Sequence, residues 1–202
     1  MHEDEAKAWL IRAFGAEACE RLAMLVALVT EENSRQNLIA PSTVPQIWSR
    51  HVADSAQLLA HAPETGSWLD IGTGGGFPGL VIAILRPQAI TLVEPRRRRA
   101  EFLQRCVTVL RLPHVNVEAR SVEAVRQEAG VISARAVATV EKLLLVARHC
   151  STTATRWLLP RGRIDACELQ QIAERWTGVF HVEQSLTDDR SSILVIHGLG
   201  KR

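Results

Sequence analysis

Five glycines lie within eight residues, from Gly72 to Gly79, directly after a short apolar run that contains an acid. The segment begins at Trp68 and reads Trp-Leu-Asp-Ile-Gly-Thr-Gly-Gly-Gly-Phe-Pro-Gly. Glycine adopts positive φ without strain, and the free N–H groups at the start of a following helix favour negative charge. Because a tight turn alone needs fewer glycines, the segment predicts a loop that holds a nucleotide-like cofactor. The loop residues expected to contact it are Gly72, Thr73, Gly74, Gly76 and Phe77.

Two acids help to decide which cofactor this loop holds. The spacing Gly74-x-Gly76-x-x-Gly79 also matches the fingerprint of dinucleotide-binding folds. Asp70, however, stands at the strand end before the loop, where a carboxylate disfavours a pyrophosphate and suits the ammonium and sulfonium of S-adenosylmethionine (AdoMet). Glu94 ends the next apolar run, where an acid can accept both ribose hydroxyls of either cofactor. A pair between Glu94 and a following arginine is the alternative, so Asp70 carries the preference for AdoMet.

Arginines follow Glu94 at the predicted start of a helix. Four cations, Arg96 to Arg99, oppose the helix dipole there unless a carboxylate or phosphate offsets them. We therefore predict that Arg96, Arg97 and Arg98 contact an RNA backbone, with a merely solvated face as the alternative. Lysine contributes only three of the chain's 24 basic residues, a bias that fits phosphate recognition but also follows from GC-rich codons.

Further candidates lie where other predicted strands end. Arg135 ends the fourth strand, whose carboxyl end opens onto the cofactor crevice, and it is the predicted catalytic residue on the substrate side. An ion pair with an acid on a facing loop is the alternative for Arg135. Val122 and Glu123 follow the third strand and are expected near the adenine. His51 and Asp54 are helical neighbours that could support the site.

The elements that must position these residues follow from hydrophobic periodicity. Up to residue 63, apolar residues recur at three- and four-residue spacing, which predicts helices. From residue 64 onward, short apolar runs alternate with helical patterns, which predicts an α/β fold with helices on both faces of a mostly parallel sheet. The predicted strands are 68–71, 90–93, 115–117, 131–133, 155–159, 178–184 and 191–197, the last two forming an antiparallel hairpin. The predicted helices of this half are 79–85, 98–110, 140–149 and 167–176.

Length and composition favour one domain. The 202 residues, 47% of them hydrophobic, suffice for a single core, with 1–63 as a helical portion and 64–202 as the α/β part. The four cysteines form no CxxC pair, so neither disulfides nor a metal site is expected. The N-terminus is acidic and the longest apolar run, Leu22 to Val29, is far shorter than a membrane span. We therefore expect a soluble, cytoplasmic monomer.

Several motifs together resemble those of the bacterial 16S rRNA guanine-N7 methyltransferases, the RsmG family, also called GidB. The motifs are Asn37-Leu38-Ile39-Ala40, Arg50-His51-x-x-Asp54-Ser55, the glycine segment from Asp70 to Gly79, and Ser133-Ala134-Arg135-Ala136-Val137-Ala138. The Phe-Pro-Gly ending of the glycine segment and the Ala-Arg-Ala-Val-Ala run are the most specific. A weaker match is Pro160-Arg161-Gly162-Arg163, where the family usually has Lys-Gly. The chain departs from the family pattern at Glu94 and Gly130, which are usually Asp, and at Ser121-Val122, which is usually Arg-Ala.

The resemblance implies an AdoMet-dependent methyltransferase (Rossmann-like) fold, with a seven-stranded sheet, preceded by N-terminal helices. It implies S-adenosyl-L-methionine as the cofactor and 16S rRNA, the small ribosomal subunit or its precursor as the partner. It extends the predicted RNA contacts to Arg50, His51, Arg135 and Arg161. No membrane partner is expected.

The implied reaction explains which catalytic groups are missing from the sequence. Guanine N7 offers an in-plane lone pair, so its methylation needs no general base. The candidate site residues include no nucleophile–base pair such as Cys–His, no Asn-Pro-Pro-Tyr type motif is found, and the chain contains no Tyr. The alternatives are a small-molecule methyltransferase, a non-catalytic nucleotide sensor and an NAD-dependent oxidoreductase of the same fold.

Overall fold

A computed structural model describes residues 1–201, and its first 61 residues are almost entirely helical. Helix α1 (Glu3–Phe14) and helix α2 (Ala16–Gln36) meet at Gly15, whose φ is +88°. The α2 residues that recur at helical spacing, such as Leu22, Leu25 and Val29, are fully buried. Four short helical segments then follow: the 3-10 turn Pro41–Gln46, the π-helical turn Trp48–Ala53, α3 (Asp54–Ala56) and the 3-10 turn Gln57–His61.

A seven-stranded sheet follows, in the order β3-β2-β1-β4-β5-β7-β6. Strands β1 to β5 are parallel, whereas β7 pairs antiparallel with both β5 and β6. This arrangement confirms the predicted fold class and the terminal hairpin. The strands are β1 (Trp68–Ile71), β2 (Ile90–Val93), β3 (Val115–Glu118), β4 (Val131–Ala134), β5 (Arg156–Arg161), β6 (Trp176–Gln184) and β7 (Ser192–Lys201).

Helices cover both faces of this sheet. They are α4 (Gly79–Leu85), α5 (Arg97–Val109), α6 (Val140–Ala147) and α7 (Ala166–Arg175). Successive strand residues point to opposite faces, so Trp68 packs in one core cluster and Leu69 in the other. The N-terminal helices share the first cluster with α4 and α5, while α6 and α7 belong to the second. The single-domain organisation with a boundary at residue 63 stays a prediction, which this shared core supports.

Two details differ from the sequence expectation. Helix α7 ends at Arg175, because Trp176 already begins β6 and buries its ring in the second cluster. Phe102, Leu103, Cys106, Val109 and Leu110 recur at helical spacing, which predicts one buried face of α5, but Val109 is the last residue of that helix and is 45% exposed, whereas Val107 is buried. Within residues 1–201, no helix is long and apolar enough to cross a membrane.

Candidate active site

A cavity of about 950 Å³ opens beside the carboxyl ends of β1, β4 and β5. Parallel strands end at one edge of a sheet, which is why the segments that follow them meet here. Its wall consists of the glycine loop 72–75, residues 135–139 after β4, residues 160–164 at the end of β5, and side chains from the N-terminal helical part. Its volume falls within the range of small-molecule sites.

The glycine loop has a backbone that only glycine adopts easily. Gly72, Gly74 and Gly76 have φ values of +67°, +58° and +98°. A Cβ at Gly72 would lie 2.6 Å from Val137 Cγ2, so the loop also packs closely against the segment after β4. Thr73 Oγ1 donates to the Asp70 carbonyl oxygen at 3.0 Å. Of the predicted cofactor contacts, Gly72, Thr73, Gly74 and Phe77 lie on the cavity wall, and Gly76 lies behind it.

Asp70 lies beneath this loop and has no exposed surface. One carboxylate oxygen accepts a hydrogen bond from the Gly79 N–H at 3.0 Å, and the other accepts one from Ser133 Oγ at 2.6 Å. Burial raises the pKa of Asp70 to about 6 against these hydrogen bonds, which lower it. The carboxylate therefore ties the far end of the loop to β4. It also accepts the hydrogen bond of the first N–H of α4, so this N–H is not free to bind an anionic ligand.

Glu94 also faces the loop from inside and is only 3% exposed. Its carboxylate accepts one hydrogen bond from the Gly74 N–H at 3.0 Å and another from the Arg96 N–H at 2.9 Å. Glu94 thus joins the loop to the start of α5 through backbone groups, rather than pairing with a following guanidinium. Its negative charge at the start of α5 also offsets the arginines there.

Residues after β3 do not reach the main cavity. Val122 is buried in the second core cluster, and Glu123 is exposed in the same 3-10 turn, Val122–Ala124. Glu123 instead borders a separate shallow depression with Arg126 and His149. The predicted adenine contacts of this turn remain predictions.

The arginines at the start of α5 divide into two groups. Arg96, Arg97 and Arg98 are exposed beside the C-terminal end of α2, and Arg97 pairs with Glu101 at 2.8 Å. Arg99 instead lines the cavity and donates to the Asn37 carbonyl oxygen at 3.3 Å. The sequence predicts RNA contacts at Arg96, Arg97 and Arg98, but four consecutive identical side chains do not indicate which of them faces a cavity.

Arg135 enters the cavity from the end of β4, where several partners hold it. Its Nη2 lies 2.8 Å from His51 Nδ1, and its Nη1 lies 3.3 Å from Asp54 Oδ2 and 3.1 Å from the Arg50 carbonyl oxygen. The guanidinium carbon stands 5.5 Å from the centre of the Phe77 ring. The ion pair that the sequence left as an alternative is therefore present, with Asp54 of the N-terminal helical part as the partner.

His51 has protein partners at both ring nitrogens, because Nε2 lies 2.8 Å from Thr43 Oγ1. Burial, followed by the nearby Arg135 and Arg50 charges, lowers the pKa of His51 to about 3. An RNA contact through either ring nitrogen would have to break an existing hydrogen bond, although the residue does lie on the cavity wall.

Two further predicted RNA contacts also line the cavity. Arg50 forms an ion pair with Asp188, a residue of the turn between β6 and β7. The Arg190 backbone N–H and the Arg50 guanidinium help to lower the pKa of Asp188 to about 2. Arg161 donates to the Ala138 carbonyl oxygen at 2.7 Å, which links the end of β5 to the segment after β4.

The chemistry of this wall suits binding and alignment. The glycine loop lines the cavity, and so do Arg50, Arg99, Arg135 and Arg161, each of which is held by an acid or a carbonyl oxygen. Within residues 1–201, no group of three or more His, Cys, Asp or Glu side chains is arranged to hold a metal ion.

Comparisons with known proteins agree on one family. The family model for GidB, rRNA small subunit methyltransferase G, matches residues 18–191. A protein named ribosomal RNA small subunit methyltransferase G from Erythrobacter litoralis is 46% identical over 98% of this chain and 98% of its own length. The protein of the same name from Sphingopyxis alaskensis is 48% identical over 96% of this chain and 85% of its own length.

Solved structures resemble the fold at low sequence identity. A ribosomal protein L11 methylase from Lactobacillus delbrueckii subsp. bulgaricus has a TM-score of 0.61 at 13% identity and covers 74% of this chain and 78% of that chain. TYW2 from M. jannaschii, solved in complex with AdoMet, has a TM-score of 0.57 at 12% identity and covers 75% of this chain and 76% of that chain. At these identities the likeness shows the fold alone.

Proposed function

Because this chain belongs to the GidB family, rRNA small subunit methyltransferase G, we propose that it methylates N7 of a guanosine in 16S rRNA, with AdoMet as the methyl donor. The observation that carries the proposal is the cavity beside the ends of β1 and β4, whose wall contains both the glycine loop and Arg135. This is where ligands bind in open α/β sheets. AdoMet supplies a methyl group on a positively charged sulfur.

The residues present fit this donor. The loop at Gly72, Thr73 and Gly74 offers a wall of backbone, since side chains at its glycines would be strained by positive φ. The Glu94 carboxylate lies against Gly74 and can accept ribose hydroxyls in exchange for its present N–H partners. Asp70 adds negative charge from beneath the loop. The proposed cofactor contacts are Asp70, Gly72, Thr73, Gly74, Gly76, Phe77, Glu94, Val122, Glu123 and Arg135.

Catalysis by these residues is proposed to consist of alignment. The acceptor nitrogen needs no deprotonation, so the protein must fix the base and exclude other orientations. Alignment of this kind can supply about 7–11 kcal/mol of a barrier. Arg135, at the cavity wall beside the loop, is proposed to hold guanine O6 or the neighbouring phosphate.

The surroundings of the cavity suit an RNA substrate. Arginines on its wall and rim can contact phosphates, and an acceptor base must lie in a loop or distorted element, because A-form helices hide the N7 edge. We propose that the chain acts as a monomer on the small ribosomal subunit or its precursor, in the cytoplasm. The proposed RNA contacts are Arg50, His51, Arg96, Arg97, Arg98, Arg135 and Arg161.

The decisive experiment uses small subunits from cells that lack this protein. Incubation with the purified chain and AdoMet should add 7-methylguanosine at one position of 16S rRNA, located by mass spectrometry of nuclease fragments. Calorimetry should show binding of AdoMet but not of NAD. Methylation of a small molecule with none on subunits or 16S rRNA, or binding of NAD in place of AdoMet, would replace the proposal with one of its alternatives.

A further inference from the structure

Resting on the proposed function, we propose that His51 positions Arg135 by accepting one of its hydrogen bonds with a neutral ring. The N-terminal helical part would then supply a positioning residue of the reaction, in addition to a share of the core. The relevant residues are 84 positions apart in the chain and 2.8 Å apart in the structure.

The direction of each hydrogen bond follows from the chemistry of the groups. A guanidinium only donates, so His51 Nδ1 must accept from Arg135 Nη2. A neutral imidazole that accepts at Nδ1 carries its proton on Nε2, and this N–H points to Thr43 Oγ1 at 2.8 Å. The Thr43 hydroxyl in turn donates to the Ala40 carbonyl oxygen at 2.8 Å. The chain of donors from Arg135 to the main chain therefore fixes one tautomer of His51.

The neutral state of His51 is stable across the physiological range. Its pKa of about 3 results first from burial and then from the Arg135 and Arg50 charges. Protonation would place an N–H of the ring against the Arg135 guanidinium and remove the acceptor. His51 is therefore an acceptor at any pH at which the protein works.

The partners of Arg135 leave part of its guanidinium for a ligand. Of its five N–H groups, three meet protein acceptors, which are His51 Nδ1, Asp54 Oδ2 and the Arg50 carbonyl oxygen. Asp54 is itself fixed, because its Oδ1 accepts from Gln57 at 2.9 Å and from Thr187 at 3.0 Å. Two N–H groups have no hydrogen-bond acceptor among residues 1–201, and they can donate to an oxygen of the RNA.

Two substitutions of similar size separate this role from simple space filling. In His51→Asn the side-chain oxygen can occupy the place of Nδ1 and accept from Arg135, whereas in His51→Gln the amide reaches toward Thr43 instead. We expect His51→Asn to keep kcat within about threefold and His51→Gln to lose about 10- to 100-fold, the range of a hydrogen bond to a charged group. The Kd for AdoMet should stay within about twofold in both variants. His181→Gln, an exposed position on β6, is the matched control.

A double substitution identifies Arg135 as the group through which His51 acts. Arg135→Ala alone should abolish most methyl transfer, and adding His51→Gln should cost little more. Three results would overturn the proposal. They are fully additive effects of Arg135→Ala and His51→Gln on kcat, equal losses of kcat in His51→Asn and His51→Gln, and a loss of AdoMet binding in the His51 variants that parallels the loss of kcat.

Nitrogen NMR of the imidazole tests the hydrogen bond between Arg135 and His51 without a measurement of activity. The wild-type spectrum should show the Nε2–H tautomer of His51 down to about pH 4, and Arg135→Ala should raise its pKa. The Nδ1–H tautomer, or a spectrum unchanged by Arg135→Ala, would overturn the proposal. A wild-type chain with this spectrum and no methyl transfer would refute the proposed function alone.

Discussion

At the scale of single residues, Asp70 shows how a buried acid can hold a functional loop. It lies fully inside the protein and accepts hydrogen bonds from Gly79 and Ser133. These bonds join the flexible glycine segment to β4. Its raised pKa means that the folded protein binds this proton more tightly than the unfolded chain does. The stability that follows from protonation is present below the unfolded pKa of 3.8 and is lost as the pH rises through about 6.

We predict that Asp70→Asn removes this pH dependence. Relative to the variant, the free energy of unfolding of the wild type should fall by about 2 kcal/mol between about pH 4 and pH 7, from the raised pKa of about 6. Urea unfolding at both pH values measures it, with Asp189→Asn in the exposed turn as the control. If the free energy of unfolding changes equally with pH in the wild type and in Asp70→Asn, the burial of Asp70 does not make stability depend on pH.

Residue types were more predictable than residue partners. The glycine segment, Glu94 and Arg135 could be identified as candidates, because each stands at a strand end in the sequence. The contact between Arg135 and His51, and the bonds from Glu94 to backbone N–H groups, depend on how distant segments pack. No periodicity encodes such a contact, so the sequence places Asp70 and Glu94 at strand ends without indicating which groups their carboxylates bind.

At the scale of elements, close packing between the glycine loop, β2 and α4 fixes the shape of the loop. Gly79, the first residue of α4, has an ordinary φ, yet a Cβ there would overlap Leu92 Cδ2 and come within 2.7 Å of Asp70 Oδ2. Position 79 therefore requires glycine because there is no room for a Cβ atom. A Cβ at Gly162, which lies on the cavity wall, would have nothing within 4 Å.

We predict that Gly79→Ala destabilises the fold by about 1–3 kcal/mol, the usual cost of overpacking, and weakens AdoMet binding through the displaced loop. Gly162→Ala should change stability by less than about 0.5 kcal/mol. Thermal unfolding and calorimetry of both variants measure this. Similar effects of the two substitutions would mean that the packing at Gly79 is not decisive.

Element types were predictable from periodicity, and their ends were less so. Buried parallel strands such as β1 and β2 are short apolar runs bounded by glycine, proline or charge, which is a clear signal. The change from α7 to β6 at Trp176 carries no such signal, because a tryptophan at helical spacing also suits a helix. The sheet decides this residue by pairing it with Lys201.

At the scale of the whole molecule, exposed arginines stand at both edges of the sheet. Arg96 and Arg98 stand at the start of α5, the edge of the sheet where the cavity opens. Arg111 and Arg148 follow the ends of α5 and α6, at the opposite edge. All four are exposed, so they form two pairs of equal charge that differ in distance from the cavity.

We predict that Arg96→Gln with Arg98→Gln reduces the salt dependence of RNA binding. The slope of log K against log salt should become shallower by about 1.4, or roughly 0.7 for each lost phosphate contact with a single strand. Arg111→Gln with Arg148→Gln should leave the slope unchanged. Titrations with a 16S rRNA fragment over a range of salt measure both, and equal slopes in the two double variants would contradict an RNA surface at the start of α5.

Glu94 has a consequence for how long a nucleoside stays bound. In the proposed exchange, its two hydrogen bonds to the main chain exist before any ribose arrives, so an incoming sugar would gain only the difference between the new bonds and the old ones. The same exchange would ease departure, because the carboxylate would return to amides already in place. An enzyme that must release the demethylated donor after every cycle benefits from such a site, because weaker binding of the nucleoside allows faster product release.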